Sequence, residues 1–174
     1  MPDQPFVLSV VGRSNSGKTT LIVKLLPWLS SRGWRVGTLK HDVHGFTMDH
    51  EGKDTYRHFE AGARRVVIAG TTELALRERL DEPPEREAVV ERFFQGMDLV
   101  ITEGYKTGRW PKIEVVRSAL SSQPLCLGDE TLVALVTDLP ASLPLPVFGL
   151  EDVEALGSWI EHRFLRGPRE GERP

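Results

Sequence analysis

The sequence predicts an α/β fold built on a mostly parallel, doubly wound sheet with helices on both faces. Apolar runs at residues 6–11, 99–102 and 132–136 are nearly continuous, which is typical of strands that are covered on both sides. Helical patterns lie between the apolar runs, and this strand–helix–strand alternation favours parallel pairing. Three shorter apolar runs supply further predicted strands, at residues 36–39, 65–69 and 113–116.

Four helices are predicted between and after these strands. The first covers residues 19–31 and ends before Gly33, which suits the left-handed position after a helix. Pro27 lies inside this helix and is expected to kink it. Asp152 is available near the start of the last helix, where a carboxylate complements the helix dipole. The other three helices are expected at residues 53–61, 85–95 and 151–164.

One segment predicts an antiparallel element instead. Residues 66–76 carry a Gly-Thr-Thr turn between two short apolar stretches, a pattern typical of a β-hairpin. We expect this hairpin at one edge of the sheet. The chain shows no internal repeat and no linker, so residues 1–165 are expected to form a single domain, with a flexible polar tail at 166–174.

The bulk composition excludes several classes of protein. The 174 residues carry a net charge of −3, which gives no reason to expect nucleic-acid binding. Cys126 is the only cysteine, so no internal disulfide can form. The N-terminus has no basic leader, and no apolar run approaches the ~18 residues of a membrane span. We therefore expect a cytoplasmic protein without a membrane partner.

Residues 12–19 read GRSNSGKT and directly follow the first predicted strand. They fit G-x4-G-K-[ST], in which the glycines turn backbone N–H groups toward phosphate, the lysine reaches the β- and γ-phosphates, and the last hydroxyl binds Mg²⁺. A plain glycine-bearing turn is the alternative, but the flanking strand and helix favour a P-loop. The expected phosphate-site residues are Gly12, Asn15, Ser16, Gly17, Lys18, Thr19 and Thr20.

A second carboxylate is expected to complete the magnesium site. P-loop proteins place an acid at the end of a neighbouring strand to hold Mg²⁺ or its water. In the stretch DLVITE, Asp98 opens the strand and Glu103 closes it. The carboxyl ends of parallel strands share one edge, so Glu103 is the candidate. An ordinary charged residue at a strand end is the alternative.

Residues 38–63 follow the second predicted strand and contain His41, His44 and two of the other three histidines. A loop at this end of the sheet is expected beside the phosphate site. Asp49 could hold a metal-bound water or orient an attacking one. The His41–His44 spacing is compatible with a transition-metal site. Phosphate contacts and a solvated loop without a role are the alternatives. Candidates for a second anion are Lys40, His41, Lys53 and Arg57.

Two later stretches offer further candidate contacts. Asp138 ends the predicted strand in VALVTDLP, where a carboxylate could accept from N1 and N2 of guanine, which adenine cannot match. Asp138 could equally cap the turn before Pro140. Lys106 and Lys112 bracket the turn KTGRWPK and could bind a phosphate of a second ligand or an acidic partner surface.

The order and spacing of several motifs resemble one family. GRSNSGKTTL, TLKHDVHGF, GKDTYRHFEAGA, DLVITEGYK and PKIEVVR occur in this order over about residues 6–160, and the chain is similar to the MobB family of molybdopterin-guanine dinucleotide biosynthesis adaptor proteins. The P-loop is generic, whereas the later segments are specific. One departure is Asp42, which replaces the threonine or histidine that often follows Lys-His.

The resemblance implies a P-loop GTP-binding protein that hydrolyses GTP weakly with Mg²⁺ and forms homodimers. It also implies a guanylyltransferase partner that attaches GMP to molybdopterin, and molybdopterin itself is a possible ligand. Lys18, Asp49 and Glu103 would be the catalytic residues, and Thr19, Asp49 and Glu103 the metal ligands. Asp49 matches the family's acid in the loop after the second strand, and Asp42 leaves the exact ligand set open.

Two other functions remain compatible with the sequence. An ATP-dependent small-molecule kinase of the P-loop class would bring an arginine-bearing lid to the transferred phosphate. The arginines near residues 84–94 lie in a segment that reads as an amphipathic helix rather than a lid. A non-catalytic scaffold, in which nucleotide only orders the loop after the second strand, is the third class.

Overall fold

The computed structural model describes residues 4–42, 45–140 and 143–166. The chain divides into two compact units, one formed by Met1–His41 with Val90–Pro174 and the other by Asp42–Val89. The single domain expected for residues 1–165 stays a prediction. Residues 167–174 of the predicted flexible tail lie outside the described residues.

The larger unit contains the predicted parallel sheet. Six strands pair in the order β2-β5-β1-β6-β7-β8, and all five pairings are parallel. The mostly parallel α/β fold is therefore confirmed, and β8 is a short edge strand that the sequence did not reveal. The strands of the chain are β1 (Phe6–Gly12), β2 (Val36–Lys40), β3 (Arg65–Ala69), β4 (Leu74–Glu78), β5 (Leu99–Glu103), β6 (Lys112–Val116), β7 (Leu132–Thr137) and β8 (Val147–Phe148).

Helices cover both faces of this sheet. Leu8 and Val10 of β1 point into a core shared with α1 and α4, whereas Val7 points to the opposite face and packs with Val90 of α3. Alternate residues of a strand face opposite sides, so β1 is apolar at nearly every position because both sides are buried. The helices are α1 (Lys18–Ser31), α2 (Asp54–Glu60), α3 (Arg86–Phe93) and α4 (Val153–Ile160).

The last helix differs at both ends from the prediction of residues 151–164. Asp152 occupies the N-cap position of α4, and its carboxylate accepts the backbone N–H of Gly149 at 2.9 Å rather than an N–H of the helix. After Ile160 the backbone continues as a π-helical segment, Glu161–Leu165. Glu161 is buried there and accepts hydrogen bonds from Trp34 and Arg166 at 3.1 Å. The bond from Trp34 anchors this π-helical segment to the α1–β2 connection.

The second unit contains the predicted hairpin. β3 and β4 pair antiparallel from Arg65↔Glu78 to Ala69↔Leu74, but they form a separate two-stranded sheet rather than an edge of the larger one. Phe59 of α2 is buried, with the guanidinium groups of Arg77 and Arg79 at 3.7 and 4.0 Å from its ring centre. These cation–π contacts fix the helix on one face of the hairpin.

Candidate phosphate and magnesium site

The GRSNSGKT loop connects β1 directly to α1. Gly12 has φ of +142°, and a Cβ there would lie 2.4 Å from the carbonyl oxygen of Val115, so only glycine fits at the end of β1. Asn15 and Gly17 also have positive φ, +60° and +99°. Successive turns of this kind direct backbone N–H groups into one concave surface that favours anions. The Gly17 carbonyl accepts the Leu21 N–H at 2.9 Å and so begins α1.

Ser16 is a buried polar residue of this loop. Its side chain is 1% exposed, and its hydroxyl oxygen has no hydrogen-bond partner within the described residues. A buried polar group without a partner costs about 1–3 kcal/mol. A phosphate oxygen bound in the loop would accept a hydrogen bond from this hydroxyl. The residues present therefore fit the phosphate group that the motif implies.

Positive side chains converge near the loop. The Lys18 Nζ donates to the Arg13 carbonyl at 2.8 Å. The pKa of Lys18 is lowered from its usual value, mainly by burial, although Glu103 opposes the shift and Lys106 and Lys40 add repulsion. An anion bound beside Lys18 would offset the repulsion of its ammonium group by Lys106 and Lys40. The structure therefore brings together three of the predicted anion-binding lysines.

The predicted magnesium ligands Thr19 and Glu103 are in contact. The Thr19 hydroxyl donates to Glu103 Oε2 at 2.9 Å, across the pairing of β1 with β5, in which Val10 lies beside Glu103. Mg²⁺ prefers oxygen ligands of this kind and takes the rest from phosphates and water. No group of three or more His, Cys, Asp or Glu able to hold a metal occurs in the described part of the chain, and such a Mg²⁺ site does not require one.

Arg117 contacts the loop between β1 and α1, and the sequence did not predict this contact. It follows β6, and its Nε donates to the carbonyl of Ser16 at 3.2 Å. The signal available in the sequence was its position after PKIEVV, because the carboxyl end of β6 borders that of β1. Nothing in the local residue pattern, however, distinguished it from other surface arginines.

Asp138 has a hydrogen-bonding role at the end of β7. One carboxylate oxygen accepts the Ser118 N–H at 2.7 Å and the other accepts the Ser118 hydroxyl at 3.0 Å. Donation from the Ser118 backbone is the main cause that lowers the pKa of Asp138. The carboxylate thus ties the ends of β6 and β7 together. Recognition of guanine by Asp138 stays a prediction.

The expectation that Lys112 binds an anion at the surface is wrong. Its side chain is 1% exposed, and its Nζ pairs with Asp129 at 3.0 Å. The ammonium also donates to the Gly108 carbonyl at 2.8 Å and to the Thr131 hydroxyl. A buried charge needs partners of this kind, so Lys112 holds the β6–β7 connection in place.

The remaining predicted residues lie around the second strand and in the second unit. His41 stacks on Tyr105 with ring centres 4.5 Å apart, and His44 lies outside the described residues. Asp49 accepts the N–H of His50 at 2.9 Å. The side chains of Lys53, at the start of α2, and of Arg57, within it, are exposed. Their roles at a phosphate, metal or second anion stay predictions.

The parallel sheet, the loop between β1 and α1 and the neighbouring acid at the end of β5 place the protein in the class of P-loop NTPase-like folds. The family model of molybdopterin guanine dinucleotide synthesis protein B (MobB) matches residues 7–138. The chain belongs to the MobB family.

Individual relatives agree with this assignment. The chain is 33% identical over 163 residues to the molybdopterin-guanine dinucleotide biosynthesis adapter protein of Haemophilus influenzae, covering 93% of this chain and 91% of that protein. It is 32% identical to the adapter protein of Escherichia coli K12, with coverages of 88% and 90%. A crystal structure of molybdopterin-guanine biosynthesis protein B superposes with a TM-score of 0.75 at 31% identity, covering 91% and 99% of the two chains.

Within the described residues, no helix combines the length and apolar character needed to cross a membrane.

Proposed function

We propose that this protein is an adapter of molybdopterin guanine dinucleotide biosynthesis that binds GTP with Mg²⁺, hydrolyses it weakly and assists a guanylyltransferase in the cytoplasm. The observation that carries the proposal is the contact between Thr19 and Glu103 at 2.9 Å beside Lys18. This contact assembles two oxygen ligands and a cation at the start of α1. Family membership supports the pathway, because the relatives are named as adapter proteins of it.

The chain's own residues can bind a triphosphate as follows. The N–H groups at the start of α1 and the Ser16 hydroxyl donate to phosphate oxygens, and Lys18 exchanges its contact with the Arg13 carbonyl for the β- and γ-phosphates. Thr19 and Glu103 would hold Mg²⁺, which when bound neutralises phosphate charge. We propose that Asp49 orients the attacking water. A site in which no arginine contacts the γ-phosphate would hydrolyse GTP slowly.

Guanine selectivity is assigned to Asp138. A carboxylate has about four lone-pair positions, and Ser118 uses two of them. The side chain is exposed, so the remaining positions can accept from N1 and N2 of guanine. Hydrogen bonds to a charged group are worth about 1.5–3 kcal/mol, which corresponds to a roughly 10- to 100-fold preference over adenine.

A second anion is proposed at Lys40 and Lys106. Both ammonium groups lie close enough to Lys18 to lower its pKa, and both side chains are exposed. His41 follows Lys40 and is held by its stacking on Tyr105. The phosphate of molybdopterin or an acidic surface of the guanylyltransferase has the charge that this cluster would accept.

Calorimetric titration of the protein with GTP and with ATP, in buffer free of phosphate and sulfate, tests the proposal. We expect GTP to bind at least about tenfold more tightly than ATP when Mg²⁺ is present, and removal of Mg²⁺ to weaken GTP binding. A preference for ATP would contradict the role of Asp138 and favour the kinase. Binding of neither nucleotide would contradict the GTP-binding proposal and favour a scaffold.

The homodimer is proposed to form through the hairpin of the second unit. Residues directly opposite on two strands share a face, so the pairs Val67↔Leu76 and Ala69↔Leu74 share one apolar face. Phe59 of α2 packs on the other face, against Arg77. Val67 and Leu74 remain 50% and 66% exposed. A two-stranded sheet is marginally stable alone, and a second copy related by twofold symmetry would cover this self-complementary apolar face.

Sedimentation analysis of Leu74→Lys tests this interface. The variant is expected to be a monomer at tens of micromolar protein, because a lysine on the apolar face would be desolvated in the dimer. Ala75→Lys is the matched control: it adds the same charge on the next residue, which faces the opposite side of the hairpin. A wild-type monomer, or a dimer that both substitutions disrupt equally, would contradict the proposed interface.

A further inference from the structure

The side chain of Arg117 braces the P-loop from the neighbouring strand. Its Nε donates to the Ser16 carbonyl at 3.2 Å. Two guanidinium nitrogens lie 3.5 and 3.6 Å from the position that a Cβ on Gly17 would occupy. The guanidinium therefore packs along the Ser16–Gly17 peptide, on the side toward which the Ser16 carbonyl points.

This contact also fixes the opposite side of the same peptide. In a planar trans peptide the C=O and the following N–H point in opposite directions, and no cis peptide bond occurs among the described residues. Holding the Ser16 carbonyl against Arg117 therefore directs the Gly17 N–H away from Arg117. Gly17, with φ of +99°, has no side chain to restrict rotation of this peptide, so a contact such as that of Arg117 with the Ser16 carbonyl restrains it.

We propose that Arg117 is a positioning residue of the phosphate site, which keeps the Gly17 N–H aimed at the phosphate before nucleotide binds. The inference rests on the proposed function, because it names the residue that preorganises the same triphosphate site. Donor groups that are fixed before binding do not lose conformational freedom when the ligand arrives. The hydrogen bond from a guanidinium is charge-assisted and stronger than a neutral one.

The backbone of Arg117 is itself firmly held. Its carbonyl accepts the N–H groups of Leu120 and Ser121 at 2.9 and 3.0 Å. The next residue, Ser118, is bound through its N–H and its hydroxyl to Asp138. The side chain therefore extends from a fixed point at the ends of β6 and β7. The same two residues, Arg117 and Ser118, connect the proposed guanine-reading carboxylate to the phosphate loop.

A charge effect and a positioning effect are separable by substitution. Arg117→Lys keeps the positive charge but loses the planar guanidinium that reaches the Ser16 carbonyl, whereas Arg117→Gln loses both. Arg13→Gln is the matched control, because Arg13 lies in the same loop with an exposed side chain and the substitution removes one charge without removing the contact to Ser16. Thermal melting of each variant establishes that it is folded.

Two measurements test the inference. The first is the affinity for Mg²⁺·GTP, which we expect to fall about tenfold in Arg117→Lys and more in Arg117→Gln, with a smaller loss in Arg13→Gln. The second is the ¹⁵N relaxation order parameter of the Gly17 amide without nucleotide. It is expected to be near 0.85 in the wild type and the Arg13→Gln control, and below about 0.6 in both Arg117 variants.

Several outcomes would overturn the inference. A rigid Gly17 amide in folded Arg117→Lys would show that the contact does not position the loop. Wild-type GTP affinity in Arg117→Lys, with equal losses of affinity in Arg117→Gln and Arg13→Gln, would show that Arg117 contributes only its positive charge. If the variants do not fold, rapid solvent exchange of the Arg117 Nε–H in the wild type would contradict the contact, and slow exchange would support it. If wild type binds no nucleotide, the proposed function fails, while the Gly17 relaxation still decides the positioning role.

Discussion

Lys18→Ala is expected to weaken binding of Mg²⁺·GTP by about 100-fold, through loss of charged hydrogen bonds to the β- and γ-phosphates. The fold should remain intact, because the only hydrogen bond from the Lys18 amine in the described part of the chain goes to the Arg13 carbonyl within the loop. Calorimetric titration measures the affinity, and guanidinium unfolding is expected to show a stability within about 0.5 kcal/mol of wild type.

Two further variants test whether the loss of GTP affinity is specific to Lys18 and to the metal site. Lys24→Ala removes a lysine from the same helix, where it pairs with Glu151 away from the loop, and should leave GTP affinity unchanged. Glu103→Gln should weaken binding by about 10-fold or more with Mg²⁺ and much less without it, whereas Lys18→Ala should weaken both. Unchanged binding by Lys18→Ala would contradict the phosphate site, and equal effects of Glu103→Gln with and without metal would contradict its ligand role.

Asp129→Asn is expected to lower the free energy of unfolding by about 2 kcal/mol. The substitution leaves the Lys112 ammonium, 1% exposed, without a counter-charge, and breaking a fully buried pair costs about 3–5 kcal/mol. We expect less because Asp129 keeps 34% of its side chain exposed. Glu151→Gln is the matched control, since it makes the same carboxylate-to-amide change in the more exposed pair with Lys24, and it should have little effect.

The pH dependence gives an independent check on this pair. Hydrogen bonds from the Thr131 hydroxyl and backbone, and then from Lys112, lower the pKa of Asp129 to about 2, against about 4 in an unfolded chain. Because the pKa is lower in the folded state, the stabilisation is complete above about pH 4 and is lost as the pH falls through about 2. The stability difference between wild type and Asp129→Asn should shrink over that range, and a difference independent of pH would contradict the ion pair.

The sequence identified the parts of the fold and site that depend on neighbouring residues. The continuous apolar runs predicted the strands of the parallel sheet because both faces of each are buried. The glycines, Lys18 and Thr19 occur at fixed spacing because a single short loop connects β1 to α1. Glu103 was predictable because parallel strands end at the same edge of the sheet.

The features that the sequence did not reveal depend on residues far apart in the chain. Lys112 is buried because Asp129 and Thr131, which follow it by 17 and 19 residues, come back to bind it, and lysine alone usually indicates a surface. Arg117 reaches Ser16 across 101 residues. The hairpin was recognised from its turn, but its separation from the larger sheet depends on strand pairing that a local pattern cannot specify.

The strand order has a consequence for the chain as it is being synthesised. β1 precedes the other strands in the chain, yet both of its neighbours come much later, since Phe6 pairs with Leu99 and Gly12 with Val115. Pairings of such long separation close a large loop and form slowly. A nascent chain that ends before Leu99 therefore carries every residue of the GRSNSGKT segment without the sheet that shapes it. The GRSNSGKT loop therefore has both strands beside β1 in place only when translation has passed β6.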